Sequence, residues 1–229
     1  MKTATWSVHP SAGRGVAVEG SETGAHIALA AGSQTGFDVD FALADPAIAN
    51  ALNSLRAGEP LATSLERLSS WIGMRFPHDG SDPVSERRLP ALDAMIAQAE
   101  GSRVQLAWVG SGAAYLVRSG RVVRQTIPHT LGHQDPRAKM LGSHLQGVPT
   151  RLITRDQAHV ELEAWRLESN DRLVFLSGAL LRRTGWSDAL PAAVIAHADD
   201  AEAIGRLAHR AHPNAWGAFV GAVAVHRVA

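Results

Sequence analysis

Between residues 104 and 126 three apolar runs are separated by turns too short to hold a helix. Val104 to Val109, Ala113 to Val117 and Val122 to Thr126 are split by Gly110-Ser111-Gly112 and by Ser119-Gly120. A parallel crossover needs a dozen or more residues, so the chain must reverse at each of these turns. That excludes an alternating βαβ plan for the middle of the protein.

The flanks obey the same grammar. Val16 to Glu19 and His26 to Ala31 bracket Gly20-Ser21-Glu22-Thr23-Gly24, which reads as a hairpin. Ile48, Ala51, Leu52 and Leu55 then recur at helical spacing until Gly58, with Asp45 as N-cap and Pro46 in the first turn. A second helix is predicted from about Leu61 to Phe76. Its inner face holds Leu65, Leu68 and Ile72, joined by Trp71 and Met74, and Pro77 ends it. Residues 77–90 are polar and rich in Pro and Gly, as a surface loop is. Residues 92–99 are good helix formers, yet the Glu100-Gly101-Ser102 turn and the apolar run after it point to a strand. Residues 128–150 read as a loop or irregular insert. Strands are expected at Leu152–Thr154, His159–Trp165 and Arg172–Ser177, helices near Trp186–Ala196 and Asp199–Ala211, and a last strand at Phe219–Val228. Strands and helices therefore segregate, which implies an α+β fold with antiparallel sheets, in a single domain over residues 1–229.

Bulk properties exclude several functions. Lys+Arg and Asp+Glu are equal at 22 each, so no strong general attraction to nucleic acid or to an anionic membrane is expected. There is no Cys, hence no disulfide and no thiolate metal site. The start of the chain lacks the apolar core of a signal peptide, and no 20-residue apolar stretch is present. A cytoplasmic location is expected. Arg outnumbering Lys suits a GC-rich bacterial genome.

The order of motifs resembles the PPM/PP2C family of metal-dependent Ser/Thr phosphatases. Val104 to Gly120 resembles the family segment "VANVGDSRAYLLRDG", and Arg121 to Thr130 resembles the "LTRDHS" segment that follows, with His129 retained. Asn170 to Leu180 is similar to "GDRLLLCSDGL", the strand after Asn214 to "DNVTVVVV", and Ala30-Ala31-Gly32 to the "ADG" corner. Gly13, Arg14 and Glu19 resemble an N-terminal Gly-Arg…Asp motif. The resemblance implies a sandwich of two antiparallel sheets flanked by helices. It also implies two Mg²⁺ or Mn²⁺ ions that activate a hydroxide against a phosphoserine or phosphothreonine, with an Arg gripping the phosphate.

Carried over residue by residue, that chemistry loses its ligands. Arg14 matches the phosphate Arg, Glu19 stands for the first Asp, and Gly32 retains its carbonyl. Ala31 replaces the bridging Asp, Ser111 the Asp of "GDSR", Gly178 (after Ser177) the Asp of "SDGL", and Asn214 or Ala215 the Asp of "DN". Gly112 lies in the same altered corner. Hard divalent ions need anionic oxygen to offset lost hydration, so one carboxylate cannot hold a pair of them. The resemblance thus predicts a pseudophosphatase with no catalytic residues, metal or cofactor. It would act on a protein partner: a kinase, a phosphoprotein or a component of a complex.

Other constellations are weaker. Gly110-Ser111-Gly112 lacks the third Gly of a dinucleotide loop and leads into a strand. His129 and His133 have a helical zinc spacing, with His144 further on, but Gly132 and Asp135-Pro136 oppose a helix, so they read as solvated loop histidines. Arg182-Arg183 reads as a solvated pair. Trp186 and Trp216 fall near the altered face, where an exposed Trp would suit an interface, although core packing is the favoured role for each taken singly. A metal-free enzyme using Ser111, Ser177, Glu19 and a loop His is the alternative. Residual one-ion activity through Glu19 with Asp38 or Asp40 is a third.

Overall fold

The computed structural model describes residues 5–9, 16–20, 24–33, 41–76, 90–140, 146–176, 189–200, 202–204 and 223–227. Among the described residues, ten strands form two five-stranded sheets in which every pairing is antiparallel. The first sheet has the order β1 (Thr5–His9), β10 (Val223–Arg227), β9 (Arg172–Leu176), β6 (Ala113–Arg118), β7 (Arg121–Gln125). The second runs β2 (Val16–Gly20), β3 (Gly24–Ser33), β4 (Ala91–Glu100), β5 (Arg103–Val109), β8 (Glu161–Arg166). The turn after Val109 carries the chain from one sheet to the other, so β5 and β6 reverse without pairing.

Three apolar layers hold the sheets and helices together. Between the sheets, Met95, Ala97, Leu106 and Trp108 pack against Ala114, Leu116, Leu173 and Phe175. Outside the second sheet, helices α1 (Phe41–Arg56) and α2 (Leu61–Arg75) cover Ala94, Ile96, Ala107 and Val109. Outside the first, Val194 from α4 (Ala189–Ala196), with Ala198 and Ile204, covers Tyr115, Val117 and Val174. The order of layers is helix, sheet, sheet, helix, as expected. No helix among the described residues is long and apolar enough to cross a membrane.

β4 shows how this arrangement overrides local preference. Its residues favour a helix, yet both of its faces are buried: Ala94 and Ile96 under the helices, Met95 and Ala97 between the sheets. Burial on two faces outweighs propensities of well under 1 kcal/mol per residue.

Four expectations need correction. Helix α1 starts at Phe41, so Pro46 lies inside it and not in its first turn. Leu43 and Ala44 are already buried there, and their burial outweighs the backbone bond that proline cannot donate. Met74 is 76% exposed, off the inner face of α2. Leu152–Thr154 is no strand; Ile153 makes one isolated bridge with Leu92. The insert at 128–150 contains a short helix, α3 (Leu131–Gln134), and a 3-10 turn at Pro136–Met140. Of the helix expected at Asp199–Ala211, residues beyond Ile204 lie outside the described residues.

Candidate functional site

The two small-residue corners that can be followed meet at one rim of the second sheet. Strand register pairs Ala31 with Asp93 and Gly32 with Leu92 across β3 and β4. Val109, the last residue of β5, pairs with Ala94. The Gly110-Ser111-Gly112 turn therefore projects over the start of β4.

Asp93 organises this rim. It is 5% exposed and accepts from the Ser111 N–H at 2.9 Å, from the Gly112 N–H at 3.3 Å and from the Ser111 hydroxyl. A buried carboxylate is tolerated only when such donors replace its lost hydration. Gly110 makes the approach possible. Its φ is +110°, and a Cβ there would lie 2.6 Å from the Asp93 carboxyl carbon.

His129 closes the other side of the turn. The Gly110 N–H donates to its Nδ1 at 3.1 Å, and its own N–H donates to the Gly110 carbonyl at 2.7 Å. The ring stacks on Trp108 with centroids 6.1 Å apart. Its Nε2 lies 3.4 Å from Glu161 Oε1 but out of hydrogen-bond geometry, while Arg151 Nη1 reaches the same oxygen at 3.0 Å. The expectation of a solvated loop histidine is therefore corrected: His129 is 2% exposed because Trp108 and the turn enclose it. His133 is exposed and bonded to Thr130. His144 lies outside the described residues.

These contacts set the protonation of His129. Burial, then the charge of Arg151, holds its pKa below the ordinary value near 6.5, although Glu161 and Asp93 pull the other way. The folded state therefore prefers the neutral ring, whose Nδ1 lone pair the Gly110 N–H requires. The unfolded chain takes up a proton first as pH falls. The contribution of His129 is thus present above about pH 6.5 and is lost as pH drops toward the lower folded value. Urea denaturation at pH 7.5 and 5.5 should show a smaller loss of stability on acidification for His129→Gln than for the parent chain. Equal losses would contradict the assignment.

Glu19 does not join the rim. It pairs in register with His26, five positions from Ala31, or about 17 Å along the strand. Its carboxylate takes a two-pronged grip from Arg56 at the end of α1, with the Nε contact at 2.8 Å. Arg14, Ser177, Gly178 and Asn214 lie outside the described residues, as do Asp38, Asp40, Arg182, Arg183, Trp186 and Trp216.

Two chemistries can be tested on this geometry. Ser111 is fully buried and its hydroxyl donates a hydrogen bond to Asp93, while His129 accepts a backbone N–H at Nδ1, so serine and histidine form no nucleophile–base pair. Among the described residues no group of three or more His, Asp or Glu could hold a metal ion. The donors at the described rim do not fit a pair of hard divalent ions, since Asp93 is spent on the turn.

The fold has known counterparts. The structure of the Mycobacterium tuberculosis serine/threonine phosphatase PstP/Ppp matches with a TM-score of 0.71 at 15% identity, covering 100% of this chain and 99% of that one. Serine/threonine phosphatase Stp1 from Staphylococcus aureus matches at 0.68 and 14% identity, covering 100% and 95%. PppA of Pseudomonas aeruginosa matches at 0.64 and 17%, covering 99% and 98%. No protein-family profile and no curated protein matches the chain. At these identities the likeness is one of fold: the chain has the fold of the PPM/PP2C serine/threonine phosphatases.

Proposed function

We propose that this PPM-fold domain has no phosphatase activity and works by binding a protein partner, whether a kinase, a phosphoprotein or a component of a complex. One observation carries the reading. At the rim where Ala31, Gly32 and the Ser111 turn meet, the carboxylate at hand, Asp93, is buried and committed to Ser111 and Gly112. Two divalent ions about 3.5–4 Å apart repel each other and need several anionic ligands free to turn toward them. The PstP catalytic domain, by contrast, is described in complex with two manganese ions. A regulatory role has a precedent in PppA, described as a key regulatory component of a T6SS. The reading has the domain working in the cytoplasm, without a cofactor and bound to neither nucleic acid nor membrane.

With p-nitrophenyl phosphate and excess Mn²⁺, the rate is expected to equal that of a protein-free blank. Calorimetric titration with Mn²⁺ is expected to show no saturable heat. Turnover that needs Mn²⁺ and disappears in Glu19→Ala or Asp93→Asn would refute the proposal.

A further inference from the structure

β7 ends its sheet, so among the described residues one of its edges has no neighbouring strand. The two-residue turn Ser119-Gly120, with φ of +48° and +71°, brings it back along β6. Its register then breaks. Arg121 pairs with Arg118 and Val122 with Val117, but Arg124 pairs with Leu116, which leaves Val123 as an extra, unpaired residue. The bulge has a consequence for charge. Residues three apart on a regular strand point to opposite faces. Here Arg121 and Arg124 stand opposite positions two apart on β6, so both side chains share one face, about 7 Å apart along the strand.

Both arginines are exposed, and no ion pair or side-chain hydrogen bond reaches either among the described residues. Their neighbour Arg118 differs: it is held by Asp171 at 2.7 Å and Glu168 at 2.8 Å. Charged residues and a bulge on an edge strand also serve to prevent unwanted strand pairing. That role does not account for Val123 at 46% exposure and Ile127 at 63%, two large apolar side chains left exposed in the same stretch of chain.

We propose that the β7 edge docks an extended acidic peptide segment of a protein partner, with carboxylates at alternate positions. Alternate residues of an added strand are about 7 Å apart on one face, which matches the spacing of Arg121 and Arg124. The guanidinium groups pair with the carboxylates, and Val123 and Ile127 supply apolar contact. The proposal extends the binding role, but the two fail separately, since phosphatase turnover would leave docking at β7 unaffected.

Fluorescence polarisation tests it with a labelled octapeptide alternating Glu with Thr and Val, its Lys counterpart, and a version with phosphoserine in place of Glu. The Glu peptide is expected to bind, more weakly as salt rises, and the Lys peptide not to bind. The doubly substituted Arg121→Gln, Arg124→Gln chain is expected to lose about tenfold in affinity, as for the loss of two exposed ion pairs together. Amide shifts on the parent chain should map to residues 121–127. The proposal is overturned by no binding of the Glu peptide, by equal binding of the Lys peptide, by undiminished affinity in the double variant, or by binding of the phosphoserine peptide alone.

Discussion

The Asp93→Ala variant is expected to melt roughly 10 °C below the parent chain. Removing the carboxylate leaves two backbone N–H groups and the Ser111 hydroxyl without their acceptor inside a closed turn. Each buried donor so stranded costs about 1–3 kcal/mol, and a shared relaxation brings the total to about 4 kcal/mol. A domain of this length loses about 2–4 °C for each kcal/mol. Asp93→Asn should fall between the two, because its amide keeps one acceptor oxygen but turns an N–H₂ toward groups that are themselves donors. Differential scanning calorimetry reads both shifts. A loss below about 1 kcal/mol for Asp93→Ala would mean that the turn is held by something else.

Gly110→Ala should be nearly as damaging, by about 3 kcal/mol in urea denaturation. Two penalties combine. An L-residue at φ +110° is strained, which costs of order 1–3 kcal/mol. The new methyl would also lie 2.6 Å from the Asp93 carboxyl carbon and 3.0 Å from its Cα, an overlap that costs about 1–3 kcal/mol more. The two substitutions should be less than additive. With Asp93→Ala the carboxyl clash disappears, while the backbone strain and the close contact with the Cα of residue 93 remain, so the double variant should recover about 1 kcal/mol of the summed loss. Strict additivity would show that the methyl never meets Asp93.

Much of the fold could be read from the chain because its signals are local. Turn residues such as Ser119-Gly120 and Glu100-Gly101-Ser102 dictate reversals wherever they stand, and the apolar stripe from Leu61 to Ile72 specifies one helical face. Asp93 escaped notice because nothing beside it marks its role. Its partners, Ser111 and Gly112, are 18 and 19 residues away, and its strand is built of helix formers. The available signal was a lone acid within the apolar stretch Ala91–Ala97, which in a buried strand demands specific donors. His129 was misplaced for a similar reason, since no local pattern announces that Trp108 will lie over it. Glu19 was grouped with the rim by motif order, whereas strand register sends it toward Arg56.

The class of architecture is written in the chain: antiparallel strands and paired helices follow from turn chemistry and apolar period, which act over a few residues. The chain also dictates which residue types stand at the corners, and so how little negative charge Ala31, Gly32 and Ser111 can offer. Where the remaining charges go depends on contacts between distant strands. Pairing across strands buries Asp93 under the Ser111 turn, takes Glu19 to Arg56, and, through one unpaired valine, sets Arg121 and Arg124 on one face of the last strand of its sheet. Such assignments depend on register, and a shift of one residue would send each side chain to the opposite face.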